Sequence, residues 1–113
     1  MALKHEDKRA AIAAYKERRP RPGIYVVRCA ASGQRWAGGA PELSTIWNRL
    51  SFALRQGAVR HGTLQAAWKA HGPESFTFET VEELSDEQLV FGRERMLKER
   101  LAHWCAALGA EAI

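Results

Sequence analysis

Between positions 23 and 38 the chain reads GIYVVRCAASGQRWAG, two short apolar runs separated by a small polar turn. No other stretch constrains the fold as tightly. Ile24, Tyr25, Val26 and Val27 give the β-branched and aromatic enrichment of a strand. Ala31, Ser32, Gly33 and Gln34 supply turn chemistry, since Gly33 accepts positive φ and a Ser32 hydroxyl bonds nearby backbone. Arg35, Trp36 and Ala37 then return as the second strand, and Pro41, which lacks an N–H, ends it. The rest of the chain is expected to pack around this hairpin.

Residues 3–19 are rich in Ala, Lys, Glu and Arg, with Ala11, Ile12 and Tyr15 at helical spacing, and predict a shallow amphipathic first helix. Pro20 and Pro22 stop it. Lys16, Arg18, Arg19 and Arg21 make that break a compact positive cluster, read either as a phosphate contact beside a site or as a solvated linker. Past the hairpin, Pro41 and Glu42 open a helix with Ile46, Leu50, Ala53 and Leu54 on one stripe and Gly57 as its cap. A shorter helix runs over 63–71 with Leu64, Ala67 and Trp68 inward and Gly72 as its stop. Residues 75–84 alternate Phe76, Phe78 and Thr80 as a third strand. The capping box from Ser85 to Gln88 leads a long helix with Leu89, Met96 or Leu97, Leu101, Trp104 and Leu108 on one face, ended by Gly109.

The expected fold is therefore α+β: a small three-stranded antiparallel sheet flanked by helices, with an extra N-terminal helix. Two segments are expected, a basic helix and Pro-rich linker over 1–22 and a compact domain over 23–113. A length of 113 residues suits one such core. The net charge of +4 favours a polyanionic partner. Cys29 and Cys105, without CxxC or Cys/His spacing, fit reduced thiols of a cytoplasmic protein rather than a disulfide framework or structural zinc. Neither a membrane span nor a signal peptide is expected, because no apolar run is long enough and the N-terminus is charged.

Gly23-Ile24-Tyr25, followed across the turn by Trp36-Ala37-Gly38, resembles the paired signature of the GIY-YIG nucleases. The element order from Gly23 onward, the Trp68-Lys69-Ala70-His71-Gly72 helix end and the Phe-rich strand closing on Glu82-Glu83-Leu84 extend the resemblance to about Leu108. The basic first helix lies outside it. What the resemblance implies is hydrolysis of a nucleic-acid phosphodiester, DNA ahead of RNA, by water with one divalent ion, Mg²⁺ or Mn²⁺. It further implies two neighbouring tyrosines, a helix Arg that steadies charge on phosphorus and a helix Glu that holds the metal.

Carried over residue by residue, Tyr25 matches the first tyrosine, as base or water-orienter, or else as a strand Tyr with a satisfied hydroxyl. Trp36 stands where the second tyrosine belongs; its indole donates but cannot accept a proton, leaving it to stack on a base or to pack. Ile46 occupies the expected Arg position, with Arg49 one turn on as a partial replacement, and Leu50 occupies a position where the family places a His. Loss of one preorganised donor costs on the order of 10²- to 10³-fold in rate. His61, beside Arg60, is the loop histidine better placed to touch substrate, whereas His71 suits a helix C-terminus. Glu94 best fits the metal carboxylate, Glu99 being the alternative if the helix register shifts; either also reads as a salt-bridged helix surface. Arg18, Arg19, Arg21, Arg35, Arg55 and Arg60 complete the expected nucleic-acid contacts. Three readings remain open: an endonuclease with weakened or lost catalysis, a non-catalytic nucleic-acid binder, and a protein-interaction module on the same scaffold.

Overall fold

The computed structural model describes residues 20–113. The helix expected over 3–19, with Lys16, Arg18 and Arg19, lies outside the described residues. Strands β1 (Gly23–Cys29) and β2 (Arg35–Ala40) form the expected hairpin, in antiparallel register with Tyr25 opposite Gly38 and Val27 opposite Trp36. Its turn closes through the Gly33 N–H donating to the Cys29 carbonyl and the Cys29 N–H donating to the Gln34 carbonyl, at 2.8 and 3.0 Å. Gly33 takes φ +75°, a value that favours glycine, and the Gln34 N–H donates to the Ser32 hydroxyl at 3.3 Å. Helices α1 (Leu43–Arg55) and α2 (Gly62–His71) follow, then β3 (Phe76–Glu83), which pairs antiparallel with β1. After α3 (Asp86–Leu89) and α4 (Arg93–Leu108) comes β4 (Glu111–Ala112).

The sheet order is β3-β1-β2-β4, with β4 parallel to β2 through Trp36 and Ala37. The expected three-stranded antiparallel sheet is thus a four-stranded mixed one. A two-residue strand has no periodicity to read. It forms because Gly109 takes a left-handed conformation and turns the chain back, after which the Ile113 N–H reaches the Ala37 carbonyl at 2.8 Å.

Central strand β1 is buried on both faces, which is why its apolar run is continuous rather than alternating. One face carries Tyr25, Val27, Cys29, Trp36 and Phe76 and packs against α1 and α2 through Leu43, Leu54, Leu64, Ala67 and Trp68. The other face, with Ile24, Val26 and Ala37, is covered by α4. The two glycines of β2 make the division plain. A Cβ on Gly38 would overlap the Tyr25 ring, whereas one on Gly39 would lie 3.5 Å from Leu97 of α4. Adjacent strand residues point to opposite faces.

Two helix boundaries differ from expectation. Helix α1 begins at Leu43 with Glu42 as its N-cap, the carboxylate accepting the Ser44 N–H at 3.1 Å, so Pro41 precedes the cap instead of opening the helix. The capping box at Ser85 and Gln88 forms as expected but starts only the single turn α3. Val90 and Phe91 are exposed, and Gly92, at φ +100°, breaks the chain before α4 begins. Val, Phe and Gly are weak helix formers, so the box does not propagate. Leu89 therefore belongs to a separate element.

Glu82 ties these layers together. Its carboxylate accepts from Arg100 Nε at 2.8 Å, Trp104 Nε1 at 2.8 Å and Gln88 Nε2 at 3.0 Å, joining β3, α3 and α4. Partial burial pushes this carboxyl up, but the Gln88, Trp104 and Arg100 donors together hold it below the usual carboxylate range. At the N-terminal side, the Arg21 guanidinium holds Glu83 at 3.0 Å, the Arg21 backbone N–H donates to the Glu42 carboxylate, and the carbonyl of the buried Pro22 accepts from the Leu84 N–H. Among the described residues no helix is long and apolar enough to cross a membrane.

Candidate nucleic-acid site

Tyr25 is 5% exposed, yet its hydroxyl is not among the buried atoms lacking a partner, and no protein group among the described residues bonds it. The phenol therefore reaches solvent at its tip. Its ring lies across Gly38 and stacks on Phe78, with centroids 5.4 Å apart, and Phe78 stacks in turn on Trp47 of α1 at 5.3 Å. Glycine is required at position 38 because the ring occupies the space a side chain would take. Gly38→Ala is expected to displace the ring and to cost about 1–3 kcal/mol, the range for overpacking. Urea unfolding checks this, and an unchanged midpoint would mean the ring is free to move aside. Burial pushes the phenol above its ordinary value, so near neutrality Tyr25 keeps its proton.

Trp36 is fully buried, stacked on Phe76 at 6.0 Å, and donates Nε1–H to the Thr63 hydroxyl at 3.0 Å. An indole with no exposed surface cannot stack on a substrate base, so of the two expected roles only packing remains to it. Thr63 in turn donates to Glu111 Oε2 at 2.5 Å and lies 3.1 Å from His61 Nδ1. Its one proton goes to the carboxylate, leaving the hydroxyl's lone pairs to the indole N–H and to a proton on His61 Nδ1. His61, half-buried at the N-cap of α2 with Nε2 3.7 Å from Glu111, thus belongs to a network around Trp36. Nothing in the sequence marks Thr63, at the start of its helix, or Glu111 as a partner of Trp36. They lie 27 and 75 positions from Trp36 by the numbering, and neither falls in a motif.

Ile46 sits half-buried against the core cluster that contains Tyr25, so at the position where the resemblance expects a guanidinium the chain places an apolar contact. Arg49, one turn on, is exposed and makes no ion pair or hydrogen bond among the described residues. Trp47, on one edge of the α1 stripe, leans onto β3, while Ile46 and Arg49 lie around the other edge. Arg55 and Arg60 are likewise exposed and without partners among the described residues. Arg21 is committed to Glu83, and Arg35 donates to the Leu108 carbonyl at 3.0 Å, capping α4.

Glu94 is exposed in the first turn of α4, one turn before the Leu97 that covers Gly39. It has no ion pair among the described residues, whereas Glu99 is held by Arg95 at 3.2 Å. Tyr25 and α1 lie on one face of the sheet and α4 on the other. Glu94 therefore lies on the face opposite Tyr25, and among the described residues β4 pairs only with Trp36 and Ala37 of β2. Among the described residues no cluster of three or more His, Cys, Asp or Glu groups forms a metal site.

The layer order gives the chain a GIY-YIG-like fold. No protein-family model matches the chain, and no curated protein matches it. Solved structures do. The catalytic domain of homing endonuclease I-TevI, a GIY-YIG nuclease, superposes with a TM-score of 0.69 and 23% identity, covering 82% of this chain and 98% of that one. A glutamate-to-alanine mutant of the same domain of intron endonuclease I-TevI gives 0.66 and 24%, over 79% and 84% of the respective chains. At these identities the likeness is one of fold.

Proposed function

We propose that this chain is a GIY-YIG-type endonuclease-like domain that engages nucleic acid, DNA ahead of RNA, and hydrolyses its phosphodiesters slowly. The observation that carries this reading is the pairing of an available phenol with an absent guanidinium. Tyr25 presents a protonated hydroxyl over Gly38, while Ile46 fills the place of the charge that would stabilise the phosphorane. Arg49, unpaired on the adjacent turn, supplies part of that charge from a less enclosed position, where water weakens it.

Glu94 is the carboxylate that fits a divalent ion. A single exposed, unpaired carboxylate suits Mg²⁺, which keeps several waters and takes substrate phosphates as its remaining ligands. When bound, the ion would supply charge stabilisation on the phosphoryl oxygens. Arg55 and Arg60, also unpaired, would hold the nucleic-acid backbone, and His61 would contribute through the Thr63 network. Arg18, Arg19, Arg21 and Arg35 would add weaker, sequence-independent attraction.

The test is nicking of supercoiled plasmid. Slow nicking with Mg²⁺ or Mn²⁺ is expected, abolished by chelation and reduced about 10²-fold in Tyr25→Phe, the lower end of what a positioned proton donor contributes. Unchanged nicking in that variant would remove Tyr25 from the reaction. The full burial of Trp36 and the apolar Ile46 favour a second reading, a non-catalytic nucleic-acid-binding module. Salt-sensitive DNA binding without metal-dependent nicking would select it.

A further inference from the structure

The outward face of α1 carries Asn48, Arg49, Phe52, Arg55 and Gln56, all exposed. Phe52 is 64% exposed and lies on the side of the helix away from the Leu43, Leu50 and Leu54 stripe, so core packing does not account for it. Residues three and four apart are neighbours on a helix surface. The ring therefore has a guanidinium one turn to either side, from Arg49 and Arg55, and an amide beside each, from Asn48 and Gln56. No Asp or Glu occurs in α1. Elsewhere, Arg21, Arg28, Arg95 and Arg100 are engaged by Glu83, Glu79, Glu99 and Glu82, but Arg49 and Arg55 are left to solvent.

We infer that this face is a stacking platform for single-stranded nucleic acid, with an unpaired base on the Phe52 ring and the flanking phosphates held by Arg49 and Arg55. The inference rests on the nucleic-acid reading above and adds the form of the substrate. An aromatic surface binds any base by its π-face, whereas a duplex hides those faces within its own stack and offers only groove edges and phosphates. Charge selects the occupant here. Two unpaired cations bracketing the ring, with no carboxylate in the same helix, suit a polyanion carrying flat stacking groups.

The experiment is fluorescence anisotropy of the full chain with a labelled oligothymidylate and with a duplex of equal length, across a salt series. The wild type is expected to bind the single strand more tightly. Phe52→Ala weakens single-strand binding about tenfold, as loss of one base stack does, and leaves duplex binding within about twofold; Phe52→Trp restores it. Arg49→Gln and Arg55→Gln weaken both ligands, each lowering the single-strand salt slope by about 0.7. If Phe52→Ala binds the single strand as well as the wild type while the Arg variants weaken both, the nucleic-acid reading stands and the platform falls. Absence of binding to either ligand at low salt removes both. Self-association that Phe52→Glu abolishes, with oligonucleotide affinity indifferent to position 52, assigns the face to a second copy and overturns the inference.

Discussion

Trp36→Ala is expected to lower the unfolding free energy by about 3–5 kcal/mol, the range for deleting a fully buried large aromatic. Three contributions add there. The indole has no exposed surface, so its apolar area is lost outright. Its stack on Phe76 goes, which leaves Phe76 with Trp68, at 5.1 Å, as its remaining ring neighbour. Finally, the Thr63 hydroxyl loses the donor that helps fix it between Glu111 and His61. Since a domain of this size has only about 5–15 kcal/mol in total, the variant is expected to unfold at a much lower urea concentration. Trp36→Phe keeps most of the ring volume and loses mainly the N–H, so a smaller cost, about 1–3 kcal/mol, is expected. A loss below about 1 kcal/mol in Trp36→Ala would contradict the core role.

Ile46→Arg is expected to raise metal-dependent nicking by about 10² to 10³-fold, the effect of one preorganised charge-stabilising donor. The position tolerates the change because it is half-buried. An arginine stem can lie along the apolar contact now made by Ile46 while its head reaches the solvent edge above Tyr25. Some packing is forfeited, about 1–2 kcal/mol of stability, so thermal unfolding accompanies the assay. Ile46→Lys is expected to recover less, since an ammonium lacks the planar fork that matches two phosphate oxygens. A folded Ile46→Arg variant that nicks no faster than the wild type would mean the missing charge is not what limits the reaction, and would favour the binding-module reading.

The local features of this fold are the ones the chain spells out. The turn at Ser32 and Gly33, the inward face of α2 and the stop signals at Gly72 and Gly109 are set by residues within a few positions of one another, and they appear where expected. The register itself is not spelled out, and it sets Tyr25 opposite Gly38 and Val27 opposite Trp36. What escaped the reading depends on distant parts meeting. Strand β4 exists only because β2 offers it an edge, and Thr63 and Glu111 gain their importance from Trp36, far away in sequence. The break at Gly92 was obscured by a strong capping box just before it, whose signal says where a helix starts and nothing of how far it runs. Which face of the sheet carries Glu94 was also hidden, since helix periodicity fixes a helix's own inner side and not the layer it joins.

On the side away from β1, the edge of β2 at Gly38 and Gly39 pairs with no strand among the described residues. Gly38 is buried under the Tyr25 ring and Gly39 alone is exposed, so the open stretch of main chain is short. The same openness invites a foreign strand to zip on, which natural proteins usually forestall with charge or proline. Pro41 stands just beyond it and limits how far such a strand could extend. Self-association at high concentration is thus the hazard that this short open edge carries, and Pro41 sets its limit.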